Sequence, residues 1–157
     1  MAIKVGDKAP EFNLPDIDKK ERTLGEFLGK KTLLAFFPGA FTGVCTKEMC
    51  TLRDSMSNFS SMNAQIVGIS VDSPFANKGF STANQLTYPL LSDYTRAVSR
   101  QYCGLYEDFA GLKGYTAAKR STFILDKNGI VKYAWVSETN PGAEPPYDEI
   151  AKALAAF

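Results

Sequence analysis

Thr42 and Cys45 sit three residues apart, directly after the apolar run Thr32–Phe37 and the turn Pro38-Gly39-Ala40. That placement puts a hydroxyl and a thiol where a helix should begin. The backbone N–H groups there have no intrahelical acceptor, and the positive end of the helix dipole lies close by. Both features favour thiolate over thiol, so the chemistry on offer is nucleophilic attack by sulfur. The chain has no histidine, so a nucleophilic Cys45 has to be activated by its surroundings and not by an imidazole base. On a helical wheel with Cys45 at zero, Met49 falls at about 40°, Leu52 at about −20°, Met56 at about 20° and Phe59 at about −40°. Cys45 therefore heads an apolar stripe, with its sulfur on a pocket floor. On this pattern alone a packed structural cysteine competes with a nucleophile.

Two further thiols are present, Cys50 and Cys103. Cys50 falls at about 140° on the same wheel, away from Cys45. Five residues apart on an intact helix, their Cα atoms are about 8.7 Å apart, from about 7.5 Å of rise and a chord of about 4.3 Å. A disulfide tolerates about 7 Å at most, so a 45–50 bond requires the first helical turns to unwind. Cys103 follows Ser99-Arg100-Gln101-Tyr102 and precedes Gly104, a helix stop, and reads as a packed core thiol. An odd number of cysteines excludes a fully paired disulfide framework and points to reduced, intracellular thiols. Three cysteines without histidine cannot complete a structural zinc site, and neither a metal nor a cofactor is expected.

The elements that must position these side chains alternate along the chain. Thr32–Phe37 and Gln65–Val71 are apolar runs of the kind buried in a central sheet, with helical spacing over about 43–60 between them. Tyr88–Leu91 is a short strand candidate, with Pro89 placing it at a strand start or an edge. Ser121–Leu125 and Ile130–Val136 flank Asp126-Lys127-Asn128-Gly129 and read as a β-hairpin. Helices are predicted near 74–86, 94–103 and 146–156. The order β-α-β-α-β-α-β-β-α gives an α/β fold, a mixed sheet with helices on both faces. Ala9–Pro15 reads as an extended N-terminal arm, and 104–119, rich in Gly and aromatics, as the longest loop. Tyr102, Tyr106, Phe109 and Tyr115 read as aromatic loop packing, with a pocket wall or a subunit contact as the alternative, and Asn140–Pro146 as a rigid loop with no chemistry implied.

A length of 157 residues with 45% hydrophobic content fits one domain over 1–157. Its 18 basic and 17 acidic residues are mixed, leaving a net charge of +1 and no stripe for nucleic acid or a membrane surface. The first residues hold no apolar leader, and no run approaches the ~20 apolar residues of a membrane span. A cytoplasmic protein is expected.

The motif Pro38-x3-Thr42-x2-Cys45 resembles the active-site signature of the peroxiredoxins, thiol peroxidases built on a thioredoxin fold. The likeness extends over nearly the whole chain. Ala9-Pro10-Glu11-Phe12 is similar to the family's N-terminal segment. Arg120-Ser121-Thr122-Phe123-Ile124-Leu125-Asp126 is similar to the strand that carries its active-site arginine. Cys45-x4-Cys50 resembles the bacterioferritin comigratory protein (peroxiredoxin Q) group, where the second cysteine resolves the first. Phe41–Cys45 with Leu52-Arg53-Asp54 also resembles the alkyl hydroperoxide reductase E-type, one-cysteine group.

The resemblance implies a thioredoxin-like fold and a Cys45 thiolate that attacks a peroxide and becomes a sulfenic acid. It implies that Arg120 stabilises the thiolate and holds the peroxide, and that Thr42 bonds the attacked oxygen. Val44 and Cys45 N–H groups would complete the cradle and Pro38 would shield the sulfur; Glu48, at about −60° on the wheel, either orients the arginine or is an ordinary first-turn carboxylate favouring the helix dipole. Cys50 would resolve the sulfenic acid, with a thioredoxin- or glutaredoxin-like dithiol as reductant. One-cysteine catalysis with an external thiol is the alternative, as is a thiol sensor or chaperone. Relatives range from monomers to dimers and larger rings, and a homodimer or larger homo-oligomer is left open. Copper delivery is disfavoured because it recruits imidazole, and thioredoxin-type reduction because Cys-x-x-Cys is absent.

Overall fold

Apolar runs punctuated by Pro, Gly and Asn become the strands of a computed structural model that describes residues 2–157; Met1 lies outside the described residues. The chain opens with a small antiparallel hairpin, β1 (Asn13–Pro15) and β2 (Glu21–Thr23), and a one-turn helix α1 (Leu24–Phe27). Then come β3 (Lys31–Phe36), α2 (Gly43–Asp54), α3 (Met56–Ser61), β4 (Ala64–Ser70), α4 (Pro74–Ala83), β5 (Leu90–Ser92) and α5 (Ala97–Tyr102). A second small hairpin, β6 (Leu105–Tyr106) and β7 (Ala117–Ala118), precedes β8 (Ser121–Leu125), β9 (Val131–Val136) and α6 (Tyr147–Ala155).

The central sheet has the order β5-β4-β3-β8-β9. β3 pairs in parallel with β4 and antiparallel with β8, so the sheet is mixed, as the sequence predicts, and β3 is its centre. Residues Leu33 to Phe37 are fully buried, because both faces of this strand are covered. The two-residue period divides them. Leu33, Ala35 and Phe37 join Cys45, Met49, Leu52, Phe80 and Ile150 in one core, while Leu34 and Phe36 join Phe27, Val98, Tyr102 and Cys103 in the other. Helices α2, α4 and α6 thus cover one face, and α1 and α5 the other. The hairpin predicted at 126–129 is present: Asp126 Oδ1 accepts the N–H groups of Asn128 (2.9 Å) and Ile130 (3.0 Å), and Gly129 takes φ +83°.

Four local details differ from the sequence prediction. The helix predicted over 43–60 is broken at Ser55. Thr51 and Ser55 hydroxyls each donate to the carbonyl four residues back, to Lys47 O and Thr51 O, which bends and interrupts the helix. The strand predicted at Tyr88–Leu91 is β5, shifted to Leu90–Ser92, because Pro89 cannot donate to the ladder. The arm and the long loop each carry a short hairpin instead of running free.

Candidate active site

Helix α2 starts where β3 leaves the sheet, and its first residues lie at the end of the sheet reached by β3 and β4. Thr42 is its N-cap, with extended φ and ψ, which leaves the N–H groups of Gly43, Val44 and Cys45 without intrahelical acceptors. The Thr42 hydroxyl does not cap its own helix. It donates to Gly39 O at 2.8 Å, closing the turn that starts at the buried Pro38. Cys45, Glu48, Met49 and Leu52 form the buried stripe of α2. Of these only Glu48 is charged, and it is fully buried.

Arg120 lies one residue before β8, the antiparallel neighbour of β3, and reaches back across 75 residues of sequence to Cys45. Its guanidinium is buried and every side-chain nitrogen is used. Nη1 donates to Glu48 Oε1 at 2.7 Å and Nη2 to Cys45 Sγ at 3.1 Å. Nε and Nη2 both donate to Pro141 O, at 3.0 and 2.8 Å. The loop before α6, read from sequence as chemically silent, thus supplies a carbonyl that fixes the guanidinium plane. A backbone oxygen leaves no mark in residue type, so only the coordinates reveal it. Glu48 Oε2 has no partner among the described residues.

The electrostatics differ from the sequence expectation of a favoured thiolate. Burial pushes the Cys45 thiol up from its ordinary value; the Arg120 guanidinium, the Thr42 hydroxyl and the Gly39 amide pull it down but do not overcome that push. The dipole and the free N–H groups enter the sequence expectation, but the desolvation cost does not, and it is large at this fully buried position. Burial likewise raises Glu48 to about 7, against the pull of Arg120. One buried guanidinium therefore faces two acidic groups that both resist ionisation.

A recess of about 280 Å³ opens between Thr42, Gly43 and Val44 on one side and Phe109, Ala110 and Pro141 on the other, with Arg120, the neighbour of the fully buried Cys45, in its wall. Cys50 is half-buried and turned away, its Sγ 3.6 Å from Asn84 Oδ1. Cys103 lies in the core on the opposite face of the sheet. All three cysteines are free. Among the described residues no cluster of three His, Cys, Asp or Glu side chains is placed to hold a metal ion, and no helix is long and apolar enough to cross a membrane.

Comparison with known proteins gives the arrangement a family. Peroxiredoxin Q, chloroplastic, of Gentiana triflora is 37% identical over 97% of this chain and 67% of its own length. Alkyl hydroperoxide reductase E of Mycobacterium bovis is 39% identical over 99% of this chain and 98% of its own. The crystal structure of peroxidoxin BcpB from Mycobacterium tuberculosis superposes with a TM-score of 0.85 at 33% identity, covering 99% and 98% of the two chains. Residues 5–134 match the AhpC/TSA family model, and the chain belongs to that family, the peroxiredoxins.

Proposed function

We propose that this thiol-dependent peroxidase reduces hydrogen peroxide and organic hydroperoxides through Cys45. The observation that carries the reading is the shared guanidinium: Arg120, in the wall of an open recess, holds the fully buried Cys45 Sγ at 3.1 Å and Glu48 at 2.7 Å. In the first step Cys45 Sγ attacks the nearer peroxide oxygen, the O–O bond breaks, and sulfur becomes a sulfenic acid. The thiol gives up one proton and the departing oxygen takes one up, so water or an alcohol leaves without an outside acid.

Magnitudes assign the roles. A thiol of pKa ~8.5 is about 3% ionised at pH 7, so full ionisation could add no more than about 30-fold. Burial pushes Cys45 against ionisation, which makes this contribution smaller. The larger share of the acceleration falls to donors at the leaving oxygen: Arg120, the N–H groups of Val44 and Cys45, and the Thr42 hydroxyl once it turns from Gly39 O to the peroxide. Pro38, buried beneath the turn, keeps water from the sulfur. Glu48 fixes the guanidinium from behind.

Cys50 then attacks the sulfenic sulfur, an intrachain disulfide forms and water leaves. A thioredoxin- or glutaredoxin-like dithiol restores both thiols. The cytoplasm, a reducing compartment, suits three unpaired cysteines. Peroxide consumption with a dithiol reductant, in wild type and in each single Cys→Ser variant, tests this reading. Cys45→Ser should be inactive, and mass spectrometry after one equivalent of peroxide should show a 45–50 bond that Cys50→Ser lacks. A stable sulfenic acid in the unaltered protein would favour the one-cysteine cycle instead.

A further inference from the structure

Phe41 takes φ +64°, in the left-handed region, where a bulky aromatic residue is a clear outlier. Such a conformation persists only when its surroundings over-determine it. Its own ring does little of this: it packs edge-on against Phe80 at 5.3 Å but remains 61% exposed. The neighbouring residue supplies the constraint. Ala40 N–H donates to Asp72 Oδ2 at 2.8 Å, a side chain 32 residues away beyond the end of β4. On the other side, Thr42 turns both its N–H and its hydroxyl to Gly39 O. Thr46 Oγ1, one turn into α2, donates to Thr42 O at 2.7 Å, so Asp72 Oδ2 is the side-chain atom that ties the turn to a different element, at Ala40 N–H.

Asp72 is itself held. Its N–H donates to Ser70 Oγ at 3.2 Å, and its carbonyl accepts from Ser92 Oγ. Ser70 Oγ donates to Asn77 Oδ1 at 3.0 Å. Ser70, Asn77 and Ser92 are all fully buried. Buried polar side chains require partners, and here they form a connected pedestal across the ends of β4 and β5. We infer that Asp72, on this pedestal, is a positioning residue that clamps the strained Gly39–Thr42 turn and so aims Thr42 and the first N–H groups of α2 at the peroxide. The inference rests on Cys45 and Thr42 having the roles proposed above.

Without the clamp, Phe41 relaxes toward ordinary φ and Thr42 rotates off the sulfur, while Cys45 stays in α2. Asp72→Ala should therefore lower the second-order rate constant for Cys45 oxidation by hydrogen peroxide at least tenfold. Its alkylation by iodoacetamide, which needs no oxygen cradle, should stay within twofold. Asp72→Asn keeps an oxygen acceptor of the same shape and should stay within about threefold of wild type in both reactions. The inference is overturned if Asp72→Ala oxidises at the wild-type rate, if Asp72→Asn is as slow as Asp72→Ala, or if alkylation falls in step with oxidation. Should Asp72→Ala not fold, amide exchange in the wild-type protein decides: Ala40 N–H should exchange at least 100-fold more slowly than Phe41 N–H, and equal rates would refute the clamp. If wild type consumes no peroxide, or Cys45→Ser still does, the reading of the site fails, and the clamp stands or falls on the exchange rates alone.

Discussion

Arg120 meets four acceptor contacts with three nitrogens, and no other cation can do the same. A lysine could satisfy Glu48 or the sulfur, but its single ammonium cannot span both and Pro141 O. Arg120→Lys should therefore lower kcat/KM for peroxide by about 100-fold or more, the scale of losing preorganised donors. Stopped-flow oxidation under excess peroxide measures this, and a loss below tenfold would count against the role. Glu48 makes a separate prediction. With no histidine in the chain, few side chains titrate between pH 5 and 8, and Glu48, raised by burial to about 7, is one that does. Folding raises its proton affinity above the ordinary value of 4.5, so its contribution to stability is full below about 4.5 and is lost as pH rises through about 7. Thermal unfolding at pH 5, 6, 7 and 8 should show Tm falling across that window, and Glu48→Gln should flatten the slope. Equal slopes in the two proteins would show that Glu48 is ionised throughout. At this scale the helical wheel revealed the burial of Cys45 but not the cost of that burial for ionisation. Thr42, Cys45 and Arg120 were visible as a spaced motif, whereas the Pro141 carbonyl and the Asp72 carboxyl carry no signal in local pattern.

Among the elements, those with a strong period were legible and those held by tertiary contacts were not. β3, β4, β8 and β9 follow from apolar runs bounded by turn residues, and the hairpin at Asp126–Gly129 from its Asx-Gly chemistry. β1 with β2, and β6 with β7, are only two or three residues long and take their shape from packing, which no period encodes. Helix α2 shows what an element contributes beyond its residues. It is continuous from Gly43 to Asp54, so Cys45 and Cys50 stand on different faces and cannot bond until its first turns open. In the proposed cycle the resolving step waits on local unwinding and should respond to helix stability. Gly43 has ordinary helical backbone and open space around its Cα, so Gly43→Ala fits without strain. It should stabilise the folded first turn by about 0.4–1 kcal/mol and slow 45–50 bond formation by about two- to fivefold. The oxidation step, which needs no unwinding, should change less than the resolving step. Quench-flow alkylation with mass spectrometry separates the two steps; an unaltered resolving rate would mean that the disulfide forms without unwinding.

The whole molecule divides at its sheet, and the division decides which sulfurs can meet. Cys45 belongs to the core under α2, α4 and α6, and Cys103 to the core under α1 and α5, with fully buried β3 between them. No local opening of α2 carries Cys45 through a five-stranded sheet, so a 45–103 bond would require global unfolding. Burial also pushes the Cys103 thiol up to about 12, which leaves it protonated and unreactive at neutral pH. The odd cysteine is thus a packing residue, as its place between a helix end and Gly104 suggested, while the face it packs on could not be read without the topology. After one equivalent of peroxide, the folded protein should present no thiol to a slow aromatic disulfide reagent such as Ellman's reagent, and one thiol after denaturation. Cys103→Ser should leave the peroxide rate within twofold. Its hydroxyl can take over the thiol's contacts to Ser99 O and Gly104 O, at a stability cost of about 1 kcal/mol for the poorer fit. A rapid native reaction at Cys103, or a 45–103 bond recovered from folded protein, would mean that the two cores exchange on the time scale of turnover and that the sheet is no barrier.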